Sequence, residues 1–146
     1  MQTNIENLKK KHFWFLVEEF GFKYNQGKFV SDNIEIKIAY DRDRPTIDIR
    51  PLSEPEFTSL QIDWVADYFT NSEFTKTLDL QFGDLEENIK TFASVLKKYS
   101  NRLLFEIDDW WLPAQRYRLR QWEALFAKAP LHAFKEIYEY LDTKEN

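Results

Sequence analysis

Residues 34–50 read as strand, turn, strand. Ile34, Ile36, Ile38 and Tyr40 alternate with Glu35, Lys37 and Ala39, then Asp41-Arg42-Asp43-Arg44-Pro45 interrupts, and Thr46-Ile47-Asp48-Ile49-Arg50 restores the alternation before Pro51. Successive strand side chains point to opposite faces, so a period of two sorts this stretch into one apolar and one charged face. Two half-polar strands joined by a short charged loop form an antiparallel hairpin with one wet face. A lone hairpin is marginal in water. The rest of the chain must extend the sheet and cover its apolar side.

Both tasks have candidates. Phe22 and Tyr24 alternate up to the turn signal Asn25-Gln26-Gly27, and Phe29-Val30 leads to a second turn, Ser31-Asp32-Asn33, so residues 22–30 add one or two strands. Ahead of them, Thr3 and Glu6 have capping-box spacing, Ile5, Leu8, Phe15, Leu16 and Phe20 recur at helical spacing, and Gly21 stands where a left-handed helix stop belongs. This predicts a helix over 4–20. A short strand near 57–61, a helix near 62–70 and a loop over 71–83 pinned by Phe74, Leu78, Leu80 and Phe82 follow. Asp84 and Glu87 open a helix over 84–100 bearing Leu85, Ile89, Phe92, Leu96 and Tyr99 on one face. Pro113 suits the first turn of a further helix carrying Leu119, Trp122, Leu125 and Phe126 inward, and Pro130 opens a last one with Phe134, Ile137, Tyr138 and Leu141, fraying over 144–146. The fold class is α+β: an N-terminal helix, an antiparallel sheet of three to five strands, and several C-terminal helices on one sheet face. Residues 1–146 read as a single domain, without repeats or a Gly/Ser linker.

Composition narrows the function. The chain has 13 Phe, 7 Tyr and 5 Trp, but no Cys, two His and three Gly. Metal sites, thiol chemistry and phosphate loops need what is scarce, whereas aromatic rings bring burial and contact surface. Zero cysteines suits a reducing cytoplasm, and no signal peptide or membrane-spanning run is read, so a cytoplasmic location without membrane association is expected. The net charge of −5 opposes a generic grip on nucleic acid.

Tests for catalysis come back thin. His12 has no ligand partner at helical spacing, and His132 has only Glu136 four residues on. There is no nucleophile elbow and no Gly-rich loop, and Gly21, Gly27 and Gly83 each have a turn or helix-end explanation. No cofactor, no metal and no catalytic residue is expected; the protein reads as a non-enzyme. In Gln115-Arg116-Tyr117-Arg118-Leu119-Arg120-Gln121-Trp122, Arg116 and Arg120 share a helix face while Arg118 points away, so a solvated Arg face with Leu119 and Trp122 buried is favoured over a basic stripe.

The candidate partner-binding residues are Asp108, Asp109, Trp110 and Trp111, followed by Asp41 and Asp43 at the hairpin tip. Two acids beside two indoles could present aromatic anchors inside an acidic rim. The reading favoured over it is that one or both tryptophans close the core, with Asp108 or Asp109 as a helix N-cap, because large aromatics are mostly buried.

The run Phe15-Leu16-Val17-Glu18-Glu19-Phe20-Gly21-Phe22, then Val30-Ser31-Asp32-Asn33-Ile34-Glu35-Ile36, Ile38-Ala39-Tyr40-Asp41-Arg42 and Thr46-Ile47-Asp48-Ile49, resembles a loose group of small bacterial α+β proteins, many uncharacterised, some regarded as immunity proteins that neutralise a toxin. The resemblance spans about residues 5–70, rests on a fold-like pattern and carries over no functional residue. It implies a non-catalytic protein-binding module, an immunity-like inhibitor that occludes a protein partner such as a basic toxin domain. The alternatives from the residues are a small hydrolase or nucleic-acid-processing enzyme using carboxylates with Arg116, Arg118 or Arg120, and a structural or adaptor subunit. Oligomeric state is not readable.

Overall fold

The computed structural model describes residues 5–41, 44–78, 84–125 and 135–145, the side chains of Asp41 and Glu145 excepted. The architecture is α+β. Helices α1 (Ile5–Phe13) and α2 (Phe15–Phe20) lead into an antiparallel meander of β1 (Lys23–Asn25), β2 (Lys28–Val30), β3 (Ile34–Asp41), β4 (Arg44–Pro51) and β5 (Leu60–Gln61), in that spatial order. There follow α3 (Ile62–Phe69), the single turn α4 (Phe74–Thr77), α5 (Leu85–Lys98), α6 (Ser100–Phe105), α7 (Ile107–Leu125) and α8 (Lys135–Glu145).

The alternation in 34–50 sets the register. Ile36 lies opposite Ile49 and Ile38 opposite Ile47 on the apolar face, while Glu35 lies opposite Arg50 and Lys37 opposite Asp48 on the polar face. Phe29 of β2 extends the apolar face beside Ile36. The segment 22–30 supplies both of its strands because Gln26 and Gly27 take positive φ (53° and 80°), the backbone of a tight two-residue hairpin turn. Ile89, Phe92 and Leu96 of α5, with Phe13 of α1 and Leu16 of α2, join the strand residues in one buried core. Each such side chain contributes about 1.5–3 kcal/mol on leaving water. A second apolar cluster, Leu119 with Ile137, Tyr140 and Leu141, joins α7 to α8.

Several boundaries differ from expectation, each for a local reason. The helix expected over 4–20 breaks at Trp14, whose carbonyl accepts from Val17 N–H (2.9 Å) and Glu18 N–H (3.1 Å). Its indole leans on Tyr24 and Phe29, with centroids 6.1 and 6.3 Å away. Thr3 lies outside the described residues, and Glu6 accepts from Tyr24 and from Lys9 (3.2 Å). The helix stop is as expected: Gly21 sits at φ 74°, and the Gly21 and Phe22 N–H groups close on Val17 and Leu16 carbonyls. The loop over 71–83 contains the turn α4, started by Thr70 Oγ1 accepting from Phe74 N–H (2.9 Å) and Asp67 Oδ1 from Thr75 N–H (2.8 Å). Asp84 caps α5 by accepting from Glu87 N–H at 3.1 Å. Leu80, Phe82, Phe126, Pro130, His132 and Phe134 lie outside the described residues.

The largest correction concerns Pro113. It is not in the first turn of its helix, since α7 starts at Ile107 and runs through it. Ile107, Trp110, Trp111, Ala114, Tyr117 and Arg118 are the buried stripe, at i, i+3, i+4, i+7, i+10 and i+11. That much burial outweighs the backbone bond a proline forfeits. At the far end Leu125 is exposed, not inward. Lys144 does not fray: it belongs to α8 and pairs with Glu54 at 3.1 Å. No helix among the described residues is long and apolar enough to cross a membrane.

Candidate protein-binding groove

The tryptophans named as anchors are buried. Trp110 keeps 2% and Trp111 4% of its surface. Trp110 Nε1–H donates to the Arg102 carbonyl (2.7 Å), and Trp111 Nε1–H donates to Tyr140 Oη (2.9 Å), which in turn donates to Glu54 Oε2 (2.7 Å). Both indoles lie on the inward stripe of α7, so the core-closing reading holds and neither ring meets solvent as an anchor. Asp108 and Asp109 are exposed in the first turn of α7, where negative charge complements the helix dipole. Asp41 pairs in register with Arg44 through the backbone, and Asp43 lies outside the described residues.

A different aromatic ring, exposed to solvent, stands beside those acids in the chain. Leu103 and Leu104 of α6 are buried, and the next residue, 100° further round the helix, leaves the core: Phe105 is 70% exposed. Its ring packs on Phe20 at the end of α2, centroids 5.9 Å apart. Phe20, Phe22, Asp32, Asn33, Leu104 and Phe105 are among the residues that line a groove of about 270 Å³. Its rim is fixed: Ser31 Oγ accepts from Ile34 N–H (3.1 Å), and the Asn33 carbonyl accepts from Leu52 N–H (2.9 Å). Glu18 and Glu19 precede Phe20, and Glu106, Asp108 and Asp109 follow Phe105; with Asp32 these six acids are exposed or half-exposed. The C-terminal, negative ends of α2 and α6 both reach the groove. Lys23 is exposed nearby, whereas the Arg102 guanidinium is laid over the Phe69 ring at 3.9 Å.

A second group of charges lies on the polar sheet face. Glu35 takes an ion pair from Lys28 (2.8 Å) and another from Arg50; burial pushes its carboxyl up, but these two cations outweigh that and hold it below its usual range. Asp48 is raised, chiefly by burial, with Lys37 opposing and Asp63 adding to the rise. Asp63 is raised by burial too, although Arg44 comes within 3.5 Å. Arg118 is not part of a solvated face: it is 6% exposed, donates to the Ser59 carbonyl (3.0 Å) and Gln115 Oε1 (2.8 Å), and lies over Trp122. Burial pushes its guanidinium down to about 10, still charged at neutral pH. Arg120 is exposed and Arg116 half-buried, so the three arginines do not share one site. His12 pairs with Glu86 at 2.9 Å, and among the described residues no group of three or more His, Cys, Asp or Glu could hold a metal ion.

Comparison with models of protein families, with curated proteins and with solved structures found no match. The functional reading therefore rests on these residues. Phe105 was not singled out from sequence, although a signal existed: three consecutive apolar residues, Leu103 to Phe105, cannot all face one side of a helix.

Proposed function

We propose that this protein is a non-catalytic, cytoplasmic protein-binding module that seats a basic partner on the Phe105 groove and occludes it, as an immunity-like inhibitor would. One observation carries the reading: a large aromatic ring is held 70% exposed at the mouth of a fixed groove, with Glu106, Asp108 and Asp109 beside it in the chain. Exposed aromatics in rigid surroundings lose little entropy on binding and dominate contact energetics. The acidic rim steers a basic partner and contributes mainly to association rate and salt dependence. The hydrolase reading has less support, because of its three arginines Arg118 is the one that acts on Asp48, and its guanidinium is already engaged by the Ser59 carbonyl and Gln115.

The test is affinity capture from the native cells followed by binding measurements on the captured protein. Phe105→Ala should weaken binding by about 2 kcal/mol or more, the scale of a hot-spot residue. Asp108→Lys with Asp109→Lys should slow association and flatten its salt dependence while the fold stays intact. A captured partner that binds both variants as it binds the wild type would exclude the groove.

A further inference from the structure

The polar face of the sheet holds a second concavity, separate from the Phe105 groove and independent of the function proposed for it. It measures about 180 Å³ and lies between β2, β3 and β4 and the loop that carries Glu56 and Ser59. Some of its charges are satisfied. Glu35 is closed by Lys28 at 2.8 Å and by Arg50, and Arg50 also donates to the Glu54 carbonyl at 2.6 Å. Behind the cleft, α7 is pinned by Gln115 Nε2–H donating to the Thr58 carbonyl (2.5 Å) and by Arg118 donating to the Ser59 carbonyl (3.0 Å).

The exceptions among the described residues are Asp48, Glu56 and Lys37, whose side chains reach the cleft unpaired; Arg50 Nε also lacks a partner but is sealed from solvent. Asp48 is half-buried and lines the cleft, and its carboxylate takes part in no hydrogen bond or ion pair among the described residues. Lys37 lies opposite it in register and acts on it through space without closing a pair, and Arg118 does the same from behind. Glu56, the second open carboxylate, is exposed and acts through space on Lys28, whose ammonium is engaged by Glu35. A desolvated carboxylate without donors is costly, and the cost is removed by a group that brings N–H donors and positive charge together. Three carboxylates (Glu35, Asp48, Glu56) and three cations (Lys28, Lys37, Arg50) line the cleft, so its net charge does not set the sign of a ligand; the open acceptor on Asp48 does. A metal ion would find too few ligands, since no group of three ligating side chains exists among the described residues. The space admits a planar or tetrahedral nitrogen head group with a few waters, at about 30 Å³ per water.

We propose that this cleft binds a guanidinium or primary ammonium group, with Asp48 as its hydrogen-bond acceptor and Glu56 as the second carboxylate. Lys37, tethered beside Asp48 and exposed, acts as a built-in competitor for the same acceptor. The raised pKa of Asp48 accords with this, because a carboxylate held against its own burial gains most from an incoming donor.

The experiment is a carboxylate-detected NMR titration of the full chain. The probes are methylguanidinium and butylammonium as free cations, and the peptides Gly-Arg-Gly and Gly-Lys-Gly as side-chain sources, with Gly-citrulline-Gly as the uncharged isostere. Saturable shifts at Asp48 and Glu56 are expected with every cationic probe and none with citrulline. Asp48→Asn and Glu56→Gln should each weaken binding, the former at least about tenfold, the ratio set by losing one charge-assisted hydrogen bond. Lys37→Met should tighten it. Peptides binding more tightly than the free cations would assign the site to a protein side chain, and the reverse to a small molecule. The proposal is overturned if Asp48 shifts no more than the exposed Asp108 and Asp109, or if Asp48→Asn, folded by its amide spectrum, binds as the wild type does.

Discussion

Phe105 and Trp110 are both large aromatics in adjoining helices, and their surroundings give them opposite roles. Trp110 is packed edge-on against Phe69 (5.7 Å) and beside Trp111 (5.9 Å), with its N–H satisfied. Trp110→Ala should therefore cost about 3–5 kcal/mol of stability through the cavity left behind. Phe105→Ala, at an exposed site, should stay within about 0.5 kcal/mol. Denaturant unfolding of the two variants checks the split, and equal losses would contradict it. Asp48 gives a prediction with a defined sign. Its folded-state pKa is raised, so the stability linked to its protonation is complete below the unfolded value of about 3.9 and is lost as pH rises through the folded value. Asp48→Asn should accordingly match the wild type near pH 3 and exceed it at pH 7, by on the order of 1 kcal/mol, the low end of the cost of a buried polar group without a partner. Urea titrations at both pH values decide it; a variant less stable at pH 7 would show that Asp48 is satisfied in the protein.

At the scale of elements, legibility followed local periodicity. The hairpin was readable because an alternation of isoleucines with charges has one physical solution, and β3 and β4 pair as that solution requires. Gly21 was readable because only a left-handed residue ends a helix with those two backbone bonds. α7 was misread at its start because Pro113 mimics a helix opening, while the stripe Ile107, Trp110, Trp111, Ala114 that overrides it runs across the proline. The break at Trp14 left no local mark, since its cause is an indole leaning on β1 and β2, a contact made only in three dimensions. One consequence is measurable. Gly21→Ala places a side chain at φ 74° and should lower stability by about 1 kcal/mol despite open space around it, which thermal unfolding would register as a drop of several degrees. No change in melting temperature would mean the turn relaxes without strain.

For the whole molecule, the aromatic surplus divides between two uses. Phe13, Phe29, Phe92, Trp110 and Trp111 fill the space between sheet and helices, as the count implied. The sequence could not rank the remainder, because exposure depends on which turn of a short helix happens to face its neighbours. Of the candidate residues, Asp108 and Asp109 keep a place at the surface, now next to Phe105 in place of the tryptophans. The most direct test of the central claim is site-specific photocrosslinking in the native cells, with a benzophenone side chain at position 105 and, as control, at the exposed position 139 of α8. A single discrete adduct from position 105, lost on reversing Asp108 and Asp109 to lysine and absent from position 139, is the expected result. No adduct at 105, or the same adducts from both positions, would contradict the claim that this groove is where the protein meets its partner.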